Sequence, residues 1–344
     1  MHNITNSVLI NFRLRRTILT SSKLLRACVL ATLTSVAAFS AFNTPSAIAA
    51  APQIKAQAPG YYRVMLGDFE VTALSDGTVK LGMDKLLKGI SSADFDKAMS
   101  KYHLSNPVET SVNGYLINTG TKLVLIDTGA GGLFGPTLGK LVASLKAAGY
   151  TPDQVDEIYI THMHGDHIGG LATAEGATVF PNAIVRADKR DADEWLSQAK
   201  MDSAKEENKG GYKGAMMEFQ PYIAAGRFKT FDGTTELVPG VKAVAAHGHT
   251  PGHTIYAVES KGQKLMLWGD LMHVASVQFA NPTITISFDS DNKAALAERQ
   301  KEYAAAAKEG YLIGSAHLSF PGLGYIHKEG KGYAWIPVNY SSFP

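Results

Sequence analysis

The sequence predicts a layered α/β or α+β domain large enough to hold two packed sheets. Three observations lead there. Strand-like and helix-like segments alternate through most of the chain. Of the 344 residues, 45% are hydrophobic and 19% charged, ample apolar material for a core. Several strands run straight into short loops dense in His and Asp, as expected where a rigid scaffold delivers chemistry to one face.

In chain order, Tyr61 to Leu66 and Phe69 to Leu74 alternate at period two around Gly67-Asp68 and predict a hairpin, followed by a turn at Ser75-Asp76-Gly77. Ser91 to Tyr102 has helical spacing, with Phe95 and Met99 on its apolar stripe and a serine cap. Ser111 to Asn118 and Lys122 to Asp127 read as strands, Gly131 to Gly135 as a flexible apolar-tipped loop, and Thr137 to Ala148 as an amphipathic helix. Val155 to Ile160 is a strand, with a helix expected to begin at Gly169. Asp188 to Ala199 reads as a helix and Lys200 to Gly214 as a loop or lid. Strands are expected at Val241 to Ala246, Thr254 to Glu259, Lys264 to Gly269 and Tyr311 to Ser315, with a helix over Lys293 to Ala307. Leu318 to Pro344, rich in Gly, Pro and aromatics, reads as irregular.

Residues 1–49 have the layout of a bacterial secretory signal: Arg13, Arg15, Arg16, Lys23 and Arg26, then an apolar run from Cys28, then Ala47-Ile48-Ala49. The apolar run is short for a membrane span of about 20 residues. Arg15-Arg16 hints at twin-arginine export. A periplasmic or secreted location is expected, with residues 50–344 as one domain. The single cysteine, Cys28, lies in the signal, so the mature chain has no disulfide, no thiol nucleophile and no cysteine metal site. The net charge of +2 and the lack of a long basic run argue against a nucleic-acid partner.

The densest chemistry is Thr161-His162-Met163-His164-Gly165-Asp166-His167, directly after an apolar strand. Imidazoles and carboxylates are ligands for zinc and similar divalent ions. His162 and His164 can turn toward one point, Asp166 and His167 toward a second. Three later strand ends supply more: His253 in the turn Ala246 to His253, Asp270 after Trp268-Gly269, and His317 after Ser315-Ala316. His247 and His249 share the turn with His253 and are expected to be hydrogen-bond partners or turn residues. Asp127 is expected to be structural or a hydrogen-bond partner behind a ligand, not a ligand itself, and His103 and His327 to lie on the surface.

This pattern resembles the metallo-β-lactamase fold superfamily, whose signature is H-x-H-x-D-H followed by His, Asp and His. Asn113 to Ile117 and Leu125 to Gly129 also match its N-terminal strands. The resemblance implies a four-layered αβ/βα sandwich with two metal ions at one edge. One ion would take His162, His164 and His253, the other Asp166, His167 and His317. Asp270 and a hydroxide would bridge them. Zn is the first expectation for both metals, with Mn, Co or Fe also compatible. Two such cations about 3.5–4 Å apart bring a shared water's pKa near neutrality and polarise the bond under attack. Asp166 is the expected proton carrier.

A closer resemblance is to bacterial methyl parathion hydrolases and the related lactonases and aryl esterases. It rests on Ala58 to Arg63, Leu66 to Glu70, Leu133 to Gly139, Trp195 to Gln198 and His317 to Gly322. It implies a homodimer and an aromatic leaving-group pocket, with Phe134 and Trp195 at matching positions and Leu133, Tyr212 and Phe288 as further pocket residues. Two departures concern this pocket: Gly165 stands where the parathion hydrolases have proline, and Gly211-Tyr212 replaces an aromatic pair. His273, three residues after Asp270, is expected to face the cavity as a substrate-contacting or proton-transferring group. A polar histidine there suits a lactone or aryl ester better than a phosphotriester, whose pocket is expected to be greasy. The function expected is therefore lactone or aryl-ester hydrolysis, with weak phosphotriesterase activity. The alternative is an organophosphate triesterase. From another class, a non-catalytic periplasmic metal-binding protein would explain the ligands but not a bridging carboxylate.

Overall fold

The computed structural model describes residues 51–342; the expected signal segment lies outside them. Residues 51–57 have no regular secondary structure. From Ala58 onward the chain forms one compact unit.

In chain order, this unit opens with β1 (Tyr61–Leu66) and β2 (Phe69–Leu81), then α1 (Met83–Leu86), β3 (Leu87–Lys88) and α2 (Ser92–Ser100). β4 (Val108–Asn118) and β5 (Leu123–Ile126) follow, then α3 (Leu141–Ala147) and β6 (Glu157–Tyr159). Next come α4 (Gly165–Ile168), β7 (Ile184–Asp188), α5 (Lys189–Trp195), α6 (Gln198–Ser203) and α7 (Lys209–Ala224). β8 (Phe228–Phe231), β9 (Thr235–Val238), β10 (Val241–Ala245), β11 (Thr254–Ser260) and β12 (Gln263–Leu267) lead to α8 (Ala275–Gln278) and β13 (Thr285–Ile286). The chain closes with α9 (Asn292–Glu309), β14 (Leu312–Gly314), β15 (Leu323–Glu329) and β16 (Gly332–Pro337).

Two seven-stranded sheets result, ordered β1-β2-β4-β5-β6-β7-β8 and β16-β15-β14-β12-β11-β10-β9. Each mixes antiparallel and parallel pairs; β5-β6-β7-β8 and β12-β14 are parallel. The period of two in side-chain direction explains the layering. Tyr115, Ile117, Val124 and Ile126 of the first sheet share a core with Tyr256, Val258, Leu265 and Leu267 of the second. Their neighbours point outward: Leu116 and Leu125 pack with Leu141, Leu145, Phe219 and Tyr222 of α3 and α7. On the far side, Ile255, Ala257 and Met266 pack with Tyr303 and Ala306 of α9. Helix, sheet, sheet and helix form four layers, as expected.

Five local expectations are corrected. No turn breaks the chain at Ser75-Asp76-Gly77: β2 runs on to Leu81 with a register shift between Ser75 and Gly77. Asp76 is fully buried there and accepts hydrogen bonds from the backbone N–H groups of Ala130, Gly139 and Leu141 at 2.9–3.0 Å. That polar triplet was a buried strap for the next loop, which shortens the helix expected from Thr137 to α3. The helix expected from Gly169 ends there instead, as α4. Lys200 to Gly214 is helical rather than a lid, in α6 and the start of α7, where Tyr212, Ala215, Phe219 and Tyr222 bury one face. The tail is not irregular: β15 and β16 form a hairpin on the second sheet, with Trp335 stacked on Phe279 at 5.7 Å.

Candidate metal centre and cavity

The loop after β6 turns at Thr161 and closes as the single turn α4, so His162, His164, Asp166 and His167 are displayed within one short arc. The turn between β10 and β11 and the segment after β12 bring His249 and Asp270 to the same point. His317 arrives from the end of β14. One group is His162, His164, His249 and Asp270. His164 Nδ1 lies 3.0 Å from His162 Nε2 and 3.1 Å from His249 Nε2, and Asp270 Oδ2 lies 3.2 Å from His249 Nε2. A second group joins Asp166, His167 and His317. Asp270 Oδ1 reaches it too, 3.1 Å from His167 Nε2 and 3.0 Å from His317 Nε2. Asp270 thus turns one oxygen toward each cluster.

One expected residue is corrected. His253 is not in either cluster; His249 takes that place. His253 is fully buried, its Nδ1 is 3.0 Å from the Ala246 carbonyl, and its Nε2 accepts the Asp270 N–H at 3.0 Å. Both nitrogens are occupied by the backbone. Burial, reinforced by the charge on His249, pushes its pKa down to about 3, so it stays neutral. Two histidines four apart in one turn are indistinguishable in sequence; only the path of the turn selects the inner one.

The rear nitrogens of the clustered imidazoles are held by outer groups. His167 Nδ1 donates to Asp127 Oδ2 at 2.8 Å, His249 Nδ1 to Asp289 Oδ1 at 2.9 Å, and His317 Nδ1 to the Ser111 carbonyl at 2.9 Å. His162 Nδ1 is 3.1 Å from Thr161 Oγ1. Such partners leave the forward Nε2 atoms as lone-pair donors. Asp127 is therefore an outer-sphere residue, and it also accepts from Thr161 N and Oγ1 at 2.8 Å. The role of Asp289 was not anticipated, because nothing in sequence ties it to a turn forty positions earlier.

Electrostatics distinguishes the imidazoles. Burial holds His162 and His164 well below the usual histidine range. Burial also opposes charge on His167 and His249, but carboxylates outweigh it: His167 is held well above its usual range by Asp270, Asp166 and Asp127, and His249 is raised to about 9 by Asp270 and Asp289. Burial would raise Asp270, yet His317, His167, His162 and His273 hold it well below the carboxylate range. His167 Nε2 and Asp270 Oδ1 are buried without a hydrogen-bond partner. Buried polar atoms without a partner are costly, and a divalent cation in each cluster would satisfy them. The donor set fits two such ions.

A cavity of about 620 Å³ opens over both clusters. Phe134, Trp195, Tyr212, Phe288 and His273 line it. Leu133 does not; it packs beside Gly165 and Gly214. Gly165 makes room for the aromatic loop tip, since a Cβ there would stand 2.9 Å from the Phe134 ring. The Trp195 ring meets His164 edge-on at 5.2 Å and Tyr212 at 4.9 Å. His273 Nε2 lies 3.1 Å from Asp270 Oδ2, and its ring stacks on His317 at 5.1 Å. His103 and His327 are on the surface, as expected.

Residues 107–317, more than half of the chain, match the metallo-beta-lactamase superfamily domain. The chain belongs to that superfamily. Its metallo-beta-lactamase fold is shared with the hydrolase AbOPH, 37% identical, with a TM-score of 0.79 over 83% of this chain and 100% of that one. It is also shared with AidC, a dizinc quorum-quenching lactonase solved with the product N-hexanoyl-L-homoserine, 27% identical, with a TM-score of 0.77 over 83% of this chain and 99% of that one. An N-acyl homoserine lactonase from a Bacillus species is 26% identical over 212 residues, 55% of this chain and 74% of the relative. This chain is accordingly a hydrolase of the metallo-beta-lactamase superfamily.

Proposed function

We propose that the protein is a dinuclear metal-dependent hydrolase of lactones and aryl esters. The observation that carries this reading is Asp270, which turns one carboxylate oxygen toward each of two His/Asp clusters at the floor of an aromatic cavity. His162, His164, His249 and Asp270 would hold one ion, and Asp166, His167, His317 and Asp270 the other. Bound there, two divalent cations supply Lewis acidity and a water activated near neutral pH. Zinc is the proposed metal, in keeping with the dizinc AidC.

The remaining work falls to the chain. Phe134, Trp195 and Phe288 exclude water and hold the apolar part of the substrate. No Lys or Arg lines the cavity among the described residues, which disfavours phosphomonoesters and other anions and favours a neutral ester. Asp166 lines the cavity and is placed to hand a proton to the departing alkoxide oxygen. His273 hydrogen-bonds Asp270 and presents a polar edge toward the substrate carbonyl. The lactonase relatives support the same substrate class. We also propose that the N-terminal segment exports the protein to the periplasm and that it works as a homodimer.

The test compares kcat/KM for dihydrocoumarin, N-hexanoyl homoserine lactone and methyl parathion, using metal-loaded mature protein with Asp270→Ala as control. A lactone preference of about a hundredfold, lost in the control, is expected. The reverse preference would replace this reading with phosphotriester hydrolysis. Two bound metals without turnover of any ester would leave a metal-binding protein.

A further inference from the structure

α5 carries a carboxylate that touches no expected metal ligand yet joins both turns that supply them. Asp191 is 1% exposed. Its Oδ2 accepts the Met163 N–H at 2.9 Å and the Thr250 hydroxyl at 2.9 Å, and its Oδ1 accepts the Gly252 N–H at 2.6 Å. Met163 stands between His162 and His164; Thr250 follows His249. The two turns come from different sheets, and this one side chain fixes their spacing. The contact is close: a Cβ on Gly252 would stand 2.6 Å from Asp191 N. One helical turn further, on the same face of α5, Trp195 packs against His164 and walls the cavity. Among the described residues no single side chain joins the two turns of the second cluster: Asp166 and His167 sit in one turn of α4 backed by Asp127, and the His317 turn is held separately by Asn113 of β4.

We propose that Asp191 is a positioning residue that sets the register of the two ligand turns, so that ion retention in the His162/His164/His249 cluster depends on α5 while retention in the Asp166/His167/His317 cluster does not. This rests on the two-metal reading above. A carboxylate is required by count: three donors converge on two acceptor oxygens, and an amide would turn its NH2 toward a donor in either orientation.

The test uses zinc-loaded mature protein and its Asp191→Asn variant, dialysed against graded EDTA, with metal content read by atomic emission. Anomalous scattering from crystals of the partly stripped variant locates the remaining ion. Asp191→Asn is expected to lose one zinc at an EDTA concentration about 10–100-fold lower than wild type does, and to keep the ion at His167 and His317. Thr250→Val removes one of the three hydrogen bonds at constant shape, and is expected to show the same order of loss more weakly. It carries the test if Asp191→Asn does not fold. Simultaneous loss of both ions, or loss from the His167 cluster first, would overturn the inference while leaving the two-metal reading intact. A wild-type protein that binds no zinc would overturn both.

Discussion

His253 Nε2 accepts the main-chain N–H of Asp270 at 3.0 Å, so a histidine that sequence alone marks as a metal ligand brackets the backbone of Asp270 and stands outside both clusters. Gly269 permits the approach: its φ is +52°, and a Cβ there would press on Thr161 and on His253 Nε2 at 3.0 Å. Substitution separates the two histidines of this turn. His249→Ala is expected to lose one of the two metals and with it nearly all turnover. His253→Ala is expected to retain both metals while losing about 1–3 kcal/mol of stability from the unpaired buried N–H. Metal analysis alongside denaturant melts checks both.

Asp289 predicts a graded effect. It holds the His249 Nδ1 proton at 2.9 Å, and the fully buried Arg299 stands 3.9 Å behind it. Asp289→Ala is expected to weaken metal binding about 10–100-fold, as loss of an outer partner of a ligand histidine typically does. Phe288→Ala, one residue away on the cavity wall, is expected to raise KM and leave metal affinity unchanged. Chelator competition and steady-state kinetics distinguish the two.

His273 bears on substrate choice. Its imidazole lines the cavity 3.1 Å from Asp270 Oδ2, with the Phe288 ring 6.0 Å away. His273→Leu is expected to shift the kcat/KM ratio of dihydrocoumarin to methyl parathion toward the phosphotriester by about tenfold or more, the scale of one pocket substitution. An unchanged ratio would remove His273 from the specificity argument.

Glu218 predicts a pH effect on stability. It is buried on α7, accepts the Ala172 N–H at 2.7 Å, and burial pushes its pKa from 4.5 to about 7. The folded protein therefore holds this proton over a range in which the unfolded chain has released it. Its contribution to stability falls as pH rises from about 4.5 to about 7 and stays low above. Glu218→Gln keeps an acceptor and removes the charge. It is expected to raise the melting temperature at pH 8, with a gain on the order of 1–3 kcal/mol, and to have little effect at pH 4. A lower melting temperature at pH 8 would count against a destabilising charge.

The legible features share one property: their signal is local. The strands around Tyr115 and Tyr256 alternate inward and outward, so their pattern survives in any one stretch of sequence. The arc His162-His164-Asp166-His167 is legible because its residues are neighbours in the chain. The helical character of 200–214 was hidden by Gly210, Gly211 and Gly214, which lower intrinsic propensity. Packing of Ala215, Phe219 and Tyr222 against the first sheet, and of Tyr212 against Trp195, overrides it. The β15–β16 hairpin was likewise masked by turn-forming residues, and it takes its place through pairing with β14.

By itself, then, the sequence determined a layered α/β domain and most of the residues of the two clusters, because periodicity and ligand type are properties of short segments; the αβ/βα order of the layers came from the family resemblance. Tertiary structure alone decided that His249 and not His253 faces the clusters, that Leu133 leaves the cavity, and that Asp289 and Asp191 support the ligand turns. Those outcomes depend on the direction of a side chain at a turn and on contacts across 28 to 61 positions. Such directions and contacts exist only once the two sheets have packed.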